Sequence, residues 1–230
     1  MTRPVFLGPD WPAIDSVLLD LDGTLLDQAF DNHIWGELVP QRFAQARGLE
    51  LAAAQAEIAR RYAVHHGTIQ GYCIDFWSHE LGVDIAALHR ELRAQVDWLP
   101  GAREFLQRMR AAGKRLVLLT NSHPSALAVK QEQTGVLGYL DASATSHEFG
   151  FPKEDARFWP AARARFDFDP GRSLFADDNP RVLAAARAAG IRWVIGIRHW
   201  DSRSAHREHL DHPSVECLAD LDGAGPAFRH

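Results

Sequence analysis

The stretch Val17-Leu18-Leu19-Asp20-Leu21-Asp22-Gly23-Thr24-Leu25 joins an apolar run to two acidic residues and a glycine. An apolar run that meets such a turn signal predicts a buried β-strand followed by a tight turn. Similar runs recur at residues 115–120, 172–177 and 191–196, with a weaker one at 142–145. Helical patterns lie between them, at residues 102–112, 124–133, 154–165 and 180–189. The alternation predicts an α/β fold, a doubly wound Rossmann-like parallel sheet.

Residues 27–99 interrupt this alternation. They contain helix-compatible stretches, including 52–62 and 85–96, and no convincing strand. A segment of this length is too long for a loop in a compact domain. The sequence therefore predicts a core formed by residues 1–26 and 100–230, with residues 27–99 inserted as a helical cap subdomain over the strand ends.

Charge and apolar runs exclude several classes of partner. The chain has 25 Lys and Arg against 30 Asp and Glu, a net charge of -5, so it has no basic footprint for polymeric nucleic acid. No apolar run approaches the roughly 20 residues of a membrane helix, and the first residues lack a signal-peptide core. We expect a cytoplasmic protein without a membrane partner.

The cysteines and the histidine-rich tail carry weaker signals. Cys73 and Cys217 have no C-x-x-C spacing, which predicts two isolated buried thiols rather than a disulfide framework or a thiolate zinc site. His206, His209 and His212 have a spacing that could line one helical face, although a solvated segment is the simpler expectation for them. Parts of the last 30 residues are expected to be extended.

Four polar signals fall at or just beyond predicted strand ends. They are Asp20 with Asp22, Thr120 with Asn121, Lys153, and Asp177 with Asp178. Each alone has an ordinary explanation as a turn residue, a helix cap or an exposed lysine. A parallel sheet, however, brings the carboxyl ends of its strands to one edge. The four signals are therefore expected to converge in one crevice.

The expected crevice suits a hard cation and a phosphate group. Carboxylates of Asp20, Asp177 and Asp178, with the backbone oxygen of Asp22, would form an all-oxygen site for which Mg²⁺ is the natural occupant. Without such a cation, like charges at close range would force protonation. Thr120 and Lys153 would add donors to phosphate oxygens.

These motifs resemble those of the haloacid dehalogenase superfamily, specifically its phosphatases. The motifs are residues 17–25, Leu118-Leu119-Thr120-Asn121-Ser122, Lys153, and Phe175-Ala176-Asp177-Asp178. The position of the insertion is similar to that of the superfamily's C1-type helical caps. The resemblance implies that Asp20 attacks phosphorus to form an aspartyl-phosphate and that Asp22 protonates the leaving oxygen and then activates water. It further implies that Thr120, Asn121 and Lys153 bind phosphate. Asp20, the carbonyl of Asp22, and Asp177 would bind Mg²⁺, and Asp178 would lie beside the cation and contact it through water.

Longer segments resemble the bacterial GMP/IMP nucleotidases of this superfamily. The segments are residues 25–32, 38–40, 120–124, 127–130, 134–135 and 147–155. This resemblance implies a small-molecule partner, a purine nucleoside 5′-monophosphate, hydrolysed to nucleoside and phosphate.

Several residues are candidates for contacts to the substrate. The cap segment contains the aromatic residues Trp35, Tyr62, Tyr72, Phe76, Trp77 and Trp98. A base stacked on such a ring gains about 1–3 kcal/mol, but most of these rings are expected in the cap core. Asn32 and His33 follow the first linker and His123 follows the second motif, so these three are the substrate-recognition candidates. Lys130 is expected on the surface.

Two other functions are alternatives to the nucleotidase hypothesis. The first is a phosphatase or phosphomutase acting on a small sugar phosphate or phosphoglycolate, with the same core and a differently lined cap. The second is a receiver-like switch, in which the acidic pair and the phospho-acceptor would come in the reverse order. A dinucleotide-binding fold is excluded because no G-x-G-x-x-G follows the first strand. The oligomeric state and the base preference stay open.

Overall fold

The protein, as a computed structural model, is described over residues 8–208 and 211–222. Its sheet contains the strands β1 (Ser16–Leu19), β2 (Arg115–Thr120), β3 (Ala142–Thr145), β4 (Ser173–Asp177), β5 (Trp193–Ile197) and β6 (Ser214–Val215). They are all parallel, in the order β3-β2-β1-β4-β5-β6. The order reverses direction between β1 and β4, which opens a crevice beyond their carboxyl ends.

Each buried strand sends alternate side chains to opposite faces of the sheet, as β-geometry requires. In β1, Val17 and Leu19 pack in one hydrophobic cluster, and Leu18 packs in the other. The core helices are α6 (Ala102–Ala111), α7 (Pro124–Thr134), α8 (Phe158–Phe166) and α9 (Pro180–Ala188). Helices α6 and α7 contribute to the first cluster, α8 and α9 to the second. The predicted doubly wound α/β fold is therefore confirmed.

Helix α8 begins later than the pattern over residues 154–165 indicates. Residues 153–157 form a turn, in which the Arg157 N–H donates to Asp155 Oδ1 over 2.9 Å. A side chain that bonds its own nearby backbone competes with the helix, so α8 begins only at Phe158.

The segment between β1 and α6 is helical in the structure. It contains α1 (Ala29–His33), α2 (Val39–Arg47), α3 (Leu51–His65), α4 (Ile74–Leu81) and α5 (Ile85–Glu91). A π-helical turn, Ile34–Leu38, joins α1 to α2. The two linkers run side by side: the Leu99 N–H donates to Leu25 O over 2.9 Å, and the Asp27 N–H donates to Asp97 O over 2.9 Å. We call residues 27–99 the cap; these boundaries stay a prediction.

The described part of the C-terminal segment lacks the helical face that was the weaker alternative for its histidines. Residues 199–208 contain no helix, so His206 does not belong to a helical face; its Nδ1 lies 2.7 Å from Glu216 Oε2, and its ring stacks on His199. His209 lies outside the described residues. A short strand, β6, is present where the sequence pattern predicted none. Among the described helices, none has the length and apolar character needed to cross a bilayer.

Candidate active site

The turn after β1 places two acidic residues at the crevice. The Asp20 N–H donates to Ala176 O over 3.1 Å, which extends the pairing of β1 with β4. Gly23 has a φ of +80°, and a Cβ atom there would lie 2.8 Å from Asp178 Cγ. Only glycine fits both the left-handed backbone and this close approach. The turn thereby brings the β1 and β4 carboxylates together.

Lys153 occupies the centre of these carboxylates. Its buried Nζ donates to Asp20 Oδ1 and, over 2.7 Å, to Asp177 Oδ2. Its peptide N–H donates to Asn121 Oδ1 over 2.9 Å, so Asn121 holds the Lys153 loop against the end of β2. Thr120 is buried at that same end, and its Oγ1 accepts the Ser122 N–H over 3.0 Å, which leaves the hydroxyl proton available to donate into the crevice.

Asp20, Asp177 and Asp178 form a compact acidic cluster. Their carboxylate oxygens lie within 4.8 Å of one another, and all three residues are buried. Burial raises the pKa of Asp20 and of Asp177 to about 6, against the opposing effect of Lys153. Burial also raises the pKa of Asp178 to about 7, although Arg207 pairs with its carboxylate. Three buried acids with one lysine among them fit a hard divalent cation as the compensating charge.

Lys130 is buried at the active site, which corrects the expectation of a surface residue. Its Nζ lies 2.7 Å from Asp22 Oδ1 and 2.7 Å from Asp31 Oδ2, and the residue is 1% exposed. Asp31 belongs to α1 of the cap, and its Oδ1 lies 3.6 Å from His89 Nε2 of α5. Lys130 therefore joins the second acid of the β1 turn to the cap.

This ion-pair network acts on the acidity of Asp22. Burial raises the pKa of Asp22 to about 6, and the positive charge of Lys130 opposes a further rise. Burial also acts on Asp31, but Lys130 and His89 outweigh it and hold the pKa of Asp31 below its usual value. The two carboxylates beside one amine thus differ in acidity, a pattern in which one of them can donate a proton near neutral pH.

A cavity of about 800 Å³ extends from the acidic cluster into the cap. This volume lies within the usual range for small-molecule sites. Three of the six cap rings named in the sequence analysis line it: Trp35, Tyr62 and Tyr72. The other three, Phe76, Trp77 and Trp98, are not among its lining residues. The cavity therefore joins a charged floor to a partly aromatic wall.

A second set of polar contacts joins cap and core at the side of the cavity. The Tyr72 hydroxyl donates to Glu154 Oε1, and Asn121 Nδ2 donates to Glu154 Oε2 over 2.9 Å. The guanidinium of Arg181 contacts both ring nitrogens of His66, over 2.8 and 3.1 Å. Opening of the cap would break the Tyr72–Glu154 and His66–Arg181 contacts, so these two favour the closed arrangement.

Comparison with known proteins agrees with this geometry. Residues 14–190 match the family of haloacid dehalogenase-like hydrolases. The chain belongs to this family. It is 40% identical over 205 residues to the GMP/IMP nucleotidase YrfG of Escherichia coli (strain K12), covering 89% of this chain and 92% of that protein. A phosphoglycolate phosphatase of Nitrosospira multiformis is 28% identical over 183 residues, covering 77% of this chain and 80% of that protein.

A solved structure shows the same fold. The haloacid dehalogenase (HAD) phosphatase of Thermococcus onnurineus superposes with a TM-score of 0.75 at 18% identity, covering 90% of this chain and 96% of that one. Family and relatives together establish a phosphoric monoester hydrolase, which removes the receiver-like switch from consideration.

In this HAD hydrolase the three recognition candidates differ in placement. Asn32 lines the cavity, but its Nδ2 donates to Asp201 Oδ2 over 2.5 Å. His33 is not among the lining residues; its Nδ1 lies 3.3 Å from Glu37 Oε2, one helical turn along. His123 lines the cavity and also caps the N-terminus of α7, where its Nδ1 accepts the Ser125 N–H over 3.3 Å.

Sequence reasoning missed several residues of this HAD site. Trp200 and Arg207 line the cavity from the segment after β5, with the guanidinium 4.0 Å from the Trp200 ring centroid. Asp31, His89 and Arg181 also line it. The sequence held one signal for Lys130, because residues 127–130 are one of the segments that resemble the GMP/IMP nucleotidases.

Proposed function

We propose that this HAD hydrolase is a Mg²⁺-dependent nucleotidase that hydrolyses purine nucleoside 5′-monophosphates, GMP and IMP, through an aspartyl-phosphate on Asp20. The observation that carries the proposal is the cavity that joins Asp20 to the aromatic rings of the cap. A small phosphate ester would need only the charged floor, whereas a purine can also stack on the rings. The 40% identical relative is itself a GMP/IMP nucleotidase. A cytoplasmic location belongs to the same proposal.

The cation would be held by the carboxylates of Asp20 and Asp177 and by the backbone oxygen of Asp22, with Asp178 beside them. The raised pKa values of these buried acids support this set, because a cation offsets the cost of their ionisation. When bound, the cation supplies charge neutralisation for the phosphoryl group.

We propose that Asp20 and Asp22 carry out the chemical steps. Asp20 attacks phosphorus in line with the leaving oxygen, and Asp22 gives that oxygen a proton. Asp22 then takes a proton from the water that hydrolyses the aspartyl-phosphate. A pKa of about 6 suits both halves of this cycle near neutral pH.

Phosphate oxygens would be bound by the Thr120 hydroxyl and the Lys153 amine. Asn121 is assigned a different part, because both ends of its side-chain amide are already engaged by Lys153 N–H and Glu154. It positions the lysine loop, and any contact of Asn121 with phosphate would come from its backbone.

A substrate panel tests the proposal. Phosphate release with Mg²⁺ is measured for GMP, IMP, AMP, CMP, UMP, phosphoglycolate and several sugar phosphates, with Asp20→Asn as the control for contaminating phosphatases. We expect the highest kcat/KM for GMP and IMP and no turnover by Asp20→Asn. Preference for phosphoglycolate, the substrate named for the 28% identical relative, or for a sugar phosphate would overturn the purine assignment and keep the chemistry.

A further inference from the structure

A thiol and two imidazoles meet at the junction of cap and core. Cys73 is the N-cap residue of α4 in the cap, His123 is the N-cap residue of α7, and His147 lies in the turn after β3. Their ligand atoms lie within 4.8 Å of one another, and the two rings meet edge to face with centroids 4.8 Å apart. We propose that Cys73, His123 and His147 form a second metal site, distinct from the acidic cluster, that takes a borderline divalent cation of the zinc class.

The donor set selects this class of cation. Thiolate and imidazole are the ligands of Zn²⁺ and Co²⁺, whereas Mg²⁺ takes oxygen ligands and is directed to the acidic cluster. The expectation of two isolated buried thiols is wrong for Cys73, which is half-buried and adjoins two histidines. Cys217, also half-buried, belongs to no such group among residues 8–208 and 211–222.

His147 supplies an independent observation. Both of its ring nitrogens are buried, and neither has a hydrogen-bond partner among the described residues. A buried polar atom without a partner costs about 1–3 kcal/mol. A coordinated ion would satisfy one of the two nitrogens.

Metal binding would change the protonation of Cys73 and His123, and it would require a fourth ligand. The Cys73 thiol releases its proton to solvent when the metal–sulfur bond forms. The sulfur already accepts the Phe76 N–H over 3.4 Å, an arrangement that suits a thiolate. His123 would bind through Nε2, which moves its ring proton to Nδ1 and gives up the 3.3 Å bond from Ser125. Asp75 Oδ2 lies 3.8 Å from that Nε2, so the exposed Asp75 carboxylate or a water completes a tetrahedron.

An occupied site would tie the cap to the core. Cys73 and Asp75 belong to the cap, while His123 and His147 follow strands of the core sheet. Closure and opening of such a cap gate substrate entry and product release. The site would therefore inhibit turnover by holding the cap closed, without displacing Mg²⁺ from the acidic cluster.

Cobalt binding tests the site without relying on activity. The metal-free full-length protein is titrated with Co²⁺ and the thiolate-to-metal charge-transfer absorption is followed, with Zn²⁺ as the competitor. We expect one equivalent of Co²⁺ to give this absorption and Zn²⁺ to remove it. Cys73→Ser should abolish the absorption, His147→Gln should weaken Co²⁺ binding at least tenfold, and the matched control Cys217→Ser should behave as the wild type.

Two results would overturn the site. One is the absence of charge-transfer absorption in the wild type, and the other is absorption that survives Cys73→Ser. Far-ultraviolet circular dichroism and Mg²⁺-dependent hydrolysis of an aryl phosphate by Cys73→Ser separate loss of a ligand from loss of the fold. In the same assay, Zn²⁺ should inhibit the wild type and Cys217→Ser but spare Cys73→Ser. Equal inhibition of all three would place the inhibitory zinc at the acidic cluster and refute the locking of the cap.

Discussion

Replacement of Lys130 by methionine tests the coupling between the cap and Asp22. Met keeps most of the apolar stem and removes the amine that lies 2.7 Å from both Asp22 and Asp31. Removing one partner of a buried ion pair costs about 3–5 kcal/mol, so we expect a loss of this size in the free energy of unfolding at pH 7. The loss of unfolding free energy stays in this range because Asp22 or Asp31 can take up a proton once the amine is absent.

The same substitution should shift the pH dependence of turnover. At an effective dielectric constant of about 20, a unit charge 4 Å away contributes about 4 kcal/mol, or about three pKa units. Sharing of Lys130 between two carboxylates reduces its effect on Asp22. We therefore expect the acidic limb of the pH–kcat profile to move upward by about one unit or more, because Asp22 must be ionised to activate water.

Lys114→Met is the matched control for Lys130→Met. Urea unfolding and pH–rate profiles are measured for Lys130→Met and for Lys114→Met. The Lys114 amine also makes two short hydrogen bonds, over 2.6 and 2.7 Å, but to the carbonyls of Trp11 and Ile14. Lys114→Met should lower stability and leave the pH profile unchanged. A wild-type pH profile in Lys130→Met, with a stability loss below about 1 kcal/mol, would refute the reasoning.

Three further predictions concern the cation and the cavity. Folding raises the pKa values of the acidic cluster from 3.8 to about 6–7, so the stability of the metal-free protein should fall as pH rises from about 4 to about 7. By differential scanning fluorimetry, the gain in Tm from Mg²⁺ should therefore be larger at pH 7.5 than at pH 5. An equal gain at the two pH values would contradict this. Gly23→Ala should weaken Mg²⁺ binding in calorimetric titration because its Cβ displaces Asp178, whereas Gly48→Ala, with φ +63° and open space, should not; equal affinities would argue against the close approach. Tyr62→Ala should lower kcat/KM for GMP by about 5- to 150-fold, the equivalent of about 1–3 kcal/mol of stacking, whereas Trp98→Ala, outside the cavity, should leave kcat/KM unchanged. If Tyr62→Ala has no effect, this ring does not contact the base.

The sheet and the motif residues were predictable because their signals are local. All five predicted runs, including the weaker one at 142–145, are strands of the core sheet, and the topology then required their carboxyl ends to share an edge. Asp20, Lys153 and Asp177 meet there for that reason.

Lys130 was not predictable in the same way. Its partners are Asp22 and Asp31, which are distant in the sequence and belong to the β1 turn and to the cap. In a helix of mixed polarity, the neighbouring residues do not indicate whether a lysine side chain is buried. The amine of Lys130 becomes buried only because the cap packs on the core. The placement of Trp200 and Arg207 depends in the same way on tertiary contacts, here of the segment after β5.

The most direct test of the account is to trap the covalent intermediate. Wild-type protein is mixed with saturating GMP and Mg²⁺, quenched in acid during turnover, digested and analysed by mass spectrometry, with phosphoglycolate in parallel. The account predicts one added phosphoryl group on the peptide containing Asp20 after GMP, far less after phosphoglycolate, and none in Asp20→Asn. A phosphoryl group on another residue, or equal labelling by the two esters, would contradict it.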